Sequence, residues 1–217
     1  MAKEGFTIIP PFLRGMWEKA IDYPIDLFIK LKIHPNFFTV LGLIFSAIGA
    51  FFYAVGSLRL GGGFIILGGI CDTFDGKIAR KRSIASKFGA IFDSSLDRYG
   101  EFLMFFGLLI YLQAFESSLY IATYYVTFFA LIGSIMVSYV RARAEGAGIE
   151  CKVGMMQRAE RIVLIGLSSM IHVYALIFIL WVVAIFANLT AIQRIHHVRK
   201  TEKAEVEDES LDETLGI

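Results

Sequence analysis

Four aspartates fall within 26 residues of one another: Asp72, Asp75, Asp93 and Asp97. Asp72 and Asp75 are spaced i, i+3, and Asp93 and Asp97 are spaced i, i+4. On helices each pair shares one face. Both pairs flank the 80–87 turn, so a helical hairpin brings four carboxylates to one place. Carboxylates so close repel one another unless cations neutralise them. An all-oxygen set without Cys or His nearby favours a hard cation such as Mg²⁺, Mn²⁺ or Ca²⁺. Gly76, Lys77 and Arg80 lie beside the acids. Gly76 lets a ligand approach the backbone, and Arg80 supplies a fork-shaped donor for phosphate. The expected chemistry is a diphosphate held by metal, with two ions able to stabilise attacking and leaving oxygens. The competing reading pairs the four acids with Lys77, Arg80, Lys87 and Arg98 in salt bridges.

These acids lie in apolar surroundings. Of 217 residues, 56% are apolar and 19% are charged, which is too little charge for a soluble domain of this size. The apolar residues run in long stretches, and about 20 of them cross a bilayer as a helix. The sequence therefore predicts an all-α polytopic membrane protein with six transmembrane helices at 37–56, 60–80, 87–114, 118–143, 155–172 and 174–196. An amphipathic interfacial helix at 11–22 precedes them, with Phe12, Leu13, Met16 and Trp17 on one face. Pro24 and Pro35 are expected to interrupt the helical path, and Asn36 to cap the first crossing. Gly61, Gly62, Gly63, Gly68 and Gly69 either admit close helix approach or tolerate bends. Residues 1–200 form one membrane domain. The acidic tail at 201–217 is expected to be disordered.

On the six-crossing layout, all of the 21 Lys and Arg except Arg59 fall on one side. The positive-inside rule then puts both termini and the aspartates on the cytoplasmic side of the cell membrane. No cleavable leader is expected. Cys71 and Cys151 have no metal or disulfide spacing, and Cys71 reads as a small buried side chain. His196 and His197 lie near Arg194. A net charge of +1 names no partner, and no nucleic-acid partner is expected.

Residues 72–97, DTFDGKIARKRSIASKFGAIFDSSLD, resemble the signature of the CDP-alcohol phosphotransferases, DxxDGxxARx₈GxxxDxxxD. Asp72, Asp75, Gly76, Ala79, Arg80, Gly89, Asp93 and Asp97 fill its defined positions, and the resemblance covers about residues 10–200. It implies transfer of a phosphatidyl-type group from a CDP-linked lipid, CDP-diacylglycerol or CDP-archaeol, to an alcohol with release of CMP. It implies a metal site of Asp72, Asp75, Asp93 and Asp97 holding two Mg²⁺ or Mn²⁺ ions, with Asp97 also the general base. Gly76, Arg80 and Gly89 then lie around the nucleotide, Asn36 near the cytidine and Ser86 near the same ligand. Members are commonly homodimers.

The acceptor is read from the basic residues that follow. Arg158 and Arg161 open a helix, where cations oppose the helix dipole. That placement suggests a bound anion, and Arg suits bidentate phosphate binding. The segment SYVRARAEGAGIECKVGMMQRAERI resembles the subgroup that makes phosphatidylinositol phosphate or its archaeal ether-lipid counterpart. The resemblance implies inositol 1-phosphate as acceptor, with Arg141, Arg161 and Arg194 on its phosphate and Arg158 as a fourth ligand. Glycerol 3-phosphate and serine are the alternative acceptors. An ion-coupled transporter is the alternative class, but it calls for acids near mid-bilayer and broken helices.

Overall fold

The computed structural model describes residues 11–215, and every regular element among them is helical. The seven helices are α1 (Pro11–Lys30), α2 (Pro35–Ala54), α3 (Leu58–Lys81), α4 (Lys87–Gln113), α5 (Ser118–Gly146), α6 (Arg158–Ile171) and α7 (Val173–Leu215). The main contacts close a ring in the order α2, α4, α5, α7, α6, α3, with α1 against α3.

The six expected helix bodies are present, but six crossings are not supported. Among the described residues three helices are long and apolar enough to span a membrane: α2, α5 and the Val173–Glu202 part of α7. The charge that makes the site interesting removes the others. Any 18-residue stretch of α3 carries Asp72 and Asp75 together with Arg59 or Lys77. Any such stretch of α4 carries Asp97, Arg98 and Glu101. Helix α6 has 14 residues, about 21 Å at 1.5 Å per residue, short of the roughly 30 Å core.

Local chemistry sets the helix starts. The expected cap at Asn36 is instead His34, whose Nδ1 accepts the Asn36 backbone N–H at 3.2 Å, with Pro35 in the first turn. Pro at that position forfeits no helix bond. Ser86 caps α4 by accepting the Gly89 N–H at 3.0 Å. Pro24 does not interrupt α1, which runs through it. Helix α7 likewise continues to Leu215, so the tail at 201–215 is helical where disorder was expected.

Helix α1 is pinned to the bundle by a triad of rings. Phe28 lies 4.8 Å from Phe38 and 5.6 Å from Phe74, and Phe38 lies 5.6 Å from Phe74. Across the core, the buried Tyr53 hydroxyl pairs with Ser169 Oγ at 2.9 Å and ties α2 to α6.

The glycine-rich face of α3 is used for close approach at Gly62. A Cβ there would lie 2.4 Å from the Gly166 carbonyl oxygen and 2.2 Å from Ser169 Oγ, whereas one on Gly63 would meet nothing. Gly62→Ala should therefore cost about 1–3 kcal/mol by forcing α3 and α6 apart. Gly63→Ala should be neutral or stabilising by up to about 1 kcal/mol through helix propensity. Thermal midpoints of the purified variants in detergent check the pair. Equal midpoints would show that α3 and α6 do not meet at Gly62.

Candidate active site

Helices α3 and α4 present their acids toward each other as the spacing predicted. One carboxylate oxygen from each of Asp72, Asp75 and Asp93 lies within 4.8 Å of the other two. Asp97 joins them through Arg158, whose Nη1 lies 3.1 Å from Asp72 Oδ1 and 2.8 Å from Asp97 Oδ2. A small cavity of about 10 Å³, room for about one water molecule, opens among Thr39, Ser46, Asp72, Asp75, Asp97 and Arg158.

The salt bridges of the competing reading are largely avoided among the described residues. Lys81 turns away to Asp26 at 3.0 Å and Asp22 at 3.2 Å on α1, and Lys77 lies 3.9 Å from Asp22. Arg98 reaches Asp97 only at 3.8 Å. Among the described residues the acids thus face one another and Arg158, with Arg98 at the edge of Asp97.

The donor set suits a divalent cation. It is composed of oxygen alone, and Asp93 Oδ1 is buried without a hydrogen-bond partner among the described residues. A buried carboxylate oxygen left unpaired is costly, and a cation at the cluster would satisfy it. Asp75 is held differently. Its Oδ2 accepts the Thr39 hydroxyl at 2.7 Å, and both residues are buried. Thr39 was not anticipated. Its signal was a hydroxyl on the apolar helix α2, three residues after Asn36.

The other predicted residues are placed as follows. Gly76 lies under Arg80, since a Cβ on it would be 3.2 Å from the Arg80 Nη1. Ser86 and Gly89 meet at the start of α4. Asn36 opens α2. Arg141 is half-buried and pairs with Glu145 at 2.7 Å. Arg194 is 3% exposed and donates to the carbonyls of Val153 at 2.9 Å and Val137 at 2.5 Å. Arg161 is fully buried. Its Nε donates to Glu101 Oε1 at 2.6 Å, its Nη1 to Met156 O at 2.8 Å and its Nη2 to Ser134 O at 3.4 Å. The two arginines at the start of α6 are therefore balanced by the chain's own acids, Asp72, Asp97 and Glu101, rather than requiring a bound anion. Glu160 supports the same turn by accepting the Gln157 backbone N–H at 2.7 Å.

His197 approaches the Glu150 carbonyl at 3.1 Å. Cys151 and Cys71 are buried free thiols. Burial pushes the Cys151 thiol pKa up, against the pull of Arg194 and Arg141, so this cysteine is unreactive packing.

The CDP-alcohol phosphatidyltransferase family profile matches residues 32–192, which include the four aspartates, Thr39, Arg158 and Arg161. The chain belongs to that family. It is therefore a membrane-bound transferase of phospholipid synthesis. It is 33% identical over 171 residues to an archaetidylinositol phosphate synthase of Pyrococcus horikoshii, covering 78% of this chain and 86% of the relative. It is 34% identical over 145 residues to a phosphatidylinositol phosphate synthase of Mycolicibacterium smegmatis, covering 62% of this chain and 63% of the relative. Its fold resembles the crystal structure of Mycobacterium tuberculosis phosphatidylinositol phosphate synthase with CDP-DAG bound. The TM-score is 0.72 at 28% identity, over 80% of this chain and 90% of the other. A second structure of that enzyme, in complex with manganese and citrate, matches equally well, with a TM-score of 0.72, 28% identity, and 80% of this chain and 86% of the other covered.

Proposed function

We propose that the chain transfers a phosphatidyl-type group from CDP-diacylglycerol or CDP-archaeol to inositol 1-phosphate, releasing CMP. The observation that carries this reading is the convergence of Asp72, Asp75 and Asp93, with Asp97 tied in through Arg158. Mg²⁺ or Mn²⁺, as two ions, would draw charge from the donor diphosphate and acidify the acceptor hydroxyl.

Asp72, Asp75 and Asp93 are the residues to hold the ions, with Thr39 fixing the Asp75 carboxylate. Asp97 takes the proton of the attacking hydroxyl. The hydroxyl oxygen bonds to the lipid-side phosphorus, the bond to the CMP oxygen breaks, and CMP leaves with the electron pair. Asn36, Gly76, Arg80, Ser86 and Gly89 line the donor nucleotide. The acceptor phosphate lies at the basic end formed by Arg141, Arg158, Arg161 and Arg194. The donors of Arg161 and Arg194 are largely taken by the protein. Direct contact thus falls first to Arg141 and Arg158, and the two buried arginines add positive potential.

The site faces the cytoplasm in this reading, because Lys77, Arg80, Lys81 and Arg82 share the aspartates' end of α3 and such clusters stay inside. Residues 1–200 make up the catalytic domain, and 201–217 take no part in it. The active form is a homodimer, as the resemblance implies.

The test is CMP release by purified protein with Mg²⁺ and either CDP-diacylglycerol or CDP-archaeol. Inositol 1-phosphate and glycerol 3-phosphate are offered separately, with Asp97→Asn alongside. Release with inositol 1-phosphate, lost in Asp97→Asn, is expected. Release with glycerol 3-phosphate alone would overturn the acceptor assignment.

A further inference from the structure

We infer that the end of the bundle opposite the aspartates carries a second binding site, built around Arg59, for the headgroup phosphate of an anionic phospholipid. Helix α2 is long and apolar enough to cross a membrane, and it carries the chain from the aspartates' end to the 55–57 turn. Arg59 follows in the first turn of α3, about 24 Å along that helix from Asp75. The 55–57 turn meets the junction of α6 and α7 at His172 around a cavity of about 440 Å³, whose lining includes Ser57, Arg59, Ser169 and His172. Sites for small ligands are of this size. With the aspartates on the cytoplasmic side, the cavity meets the outer leaflet.

Charge at this end is sparse and gathered in one place. Arg59 is the one Lys or Arg between Lys32 and Lys77, and none lies between Arg98 and Arg141 or between Arg161 and Arg194. His172 is the one histidine in those same stretches besides His34. Both Arg59 and His172 line the cavity. Arg59 has no ion-pair partner among the described residues, Glu116 of the 114–117 connection included. A guanidinium left without a counter-ion beside a cavity suits a phosphate, which takes its forked donors.

His172 adds a second donor. Its Nδ1 accepts the Tyr174 backbone N–H at 3.3 Å, so that nitrogen bears no proton and Nε2 bears it. Ser57 makes no side-chain capping bond to α3, which leaves its hydroxyl for the cavity. Ser169 forms the floor. Its hydroxyl donates to Gly166 O at 2.8 Å and accepts from the Tyr53 hydroxyl at 2.9 Å, and Tyr53 and Ser169 are both buried. The cavity is thus anchored in the core and offers donors from Arg59, His172 and Ser57. Its rim argues for a lipid over a free ion: Leu60 and Ile171 line it and are exposed, a surface that acyl chains cover favourably. An anionic headgroup is preferred because a zwitterionic one would bring an ammonium beside Arg59.

The inference goes beyond the proposed reaction and does not rest on it. The test uses the delipidated full chain in detergent with phosphatidylglycerol, phosphatidylcholine or inorganic phosphate added. Bound lipid is counted by native mass spectrometry, and thermal midpoints are recorded. Wild type is compared with Arg59→Gln and with Ser57→Phe, which fills the cavity and keeps the charge. Wild type should hold one phosphatidylglycerol that Arg59→Gln binds about tenfold or more weakly, the worth of charge-assisted hydrogen bonds. Ser57→Phe should lose the same lipid. CMP release by Arg59→Gln should stay within about twofold of wild type, as for surface changes.

Equal phosphatidylglycerol binding by wild type and Arg59→Gln would overturn the site. Phosphatidylcholine bound as tightly as phosphatidylglycerol would show an apolar groove without headgroup selection. Inorganic phosphate raising the midpoint as much as the lipid would make the ligand a free anion. Either result overturns the lipid assignment. Loss of the lipid in Arg59→Gln but not in a folded Ser57→Phe would trace the effect to surface charge and overturn the cavity. Arg59 is exposed, so Arg59→Gln keeps the fold and decides the question if Ser57→Phe does not fold. If wild type releases no CMP, the proposed reaction fails, and lipid binding still decides this site.

Discussion

Asp93→Asn should lower CMP release roughly a thousandfold or more, since losing a metal ligand forfeits several kcal/mol of transition-state stabilisation. Asp93 is the sharpest probe because its Oδ1 is buried and has no protein partner among the described residues. An amide nitrogen in either position would aim hydrogens at a cation and shorten the set of oxygens that Asp72 and Asp75 complete. The same variant should bind Mn²⁺ more weakly, which electron paramagnetic resonance titration reads without any turnover. Lys77→Ala is the control: its amine leans toward Asp22 on α1 and away from the cluster, so its activity should stay within about twofold of wild type, as for surface changes. Release by Asp93→Asn within tenfold of wild type, with unchanged Mn²⁺ affinity, would remove Asp93 from the metal site.

The aspartates could be read from the sequence because their meaning is local. Spacings of three and four residues put each pair on one helix face, and the short 80–87 turn leaves the two faces little choice but to meet. Helix bodies were legible for a similar reason: apolar runs place the starts of α2 to α7 within three residues. What the spans do with a membrane was not. Apolar content and helix length suggested six crossings, but α3 and α4 carry their charges too deep into each helix, and α6 is too short. Pro24 was overvalued as a breaker, since a helix can absorb one lost bond when its flanks are held, here by Phe28 on Phe38 and Phe74.

The partners of the arginines were the least legible part. Arg158 and Arg161 at a helix start suggested an anion, and the anions are carboxylates 60 residues or more earlier in the chain. That pairing depends on how α6 seats against α4 and α3, which no spacing within one helix encodes. Thr39 was hidden in the same way, as its hydroxyl matters only once α2 lies beside Asp75.

Arg158→Met should weaken the metal-free protein and strengthen its hold on Mn²⁺, while lowering transfer. One guanidinium now neutralises Asp72 and Asp97 together. Removing it leaves neighbouring carboxylates unscreened, which repel, so the midpoint without metal should fall. A divalent cation competes with that same guanidinium for the carboxylates. The variant should therefore bind Mn²⁺ more tightly, and the rise in midpoint on adding Mn²⁺ should exceed that of wild type. Transfer should nevertheless drop about tenfold to a hundredfold, the worth of a charge-assisted hydrogen bond to phosphate, if Arg158 contacts the acceptor phosphate as proposed. Arg158 Nε is buried without a hydrogen-bond partner among the described residues. The opposing signs on metal affinity and turnover are what separate this account from simple misfolding, which lowers both. A smaller Mn²⁺-induced rise in midpoint than wild type would show that Arg158 supports the metal site instead of competing for it.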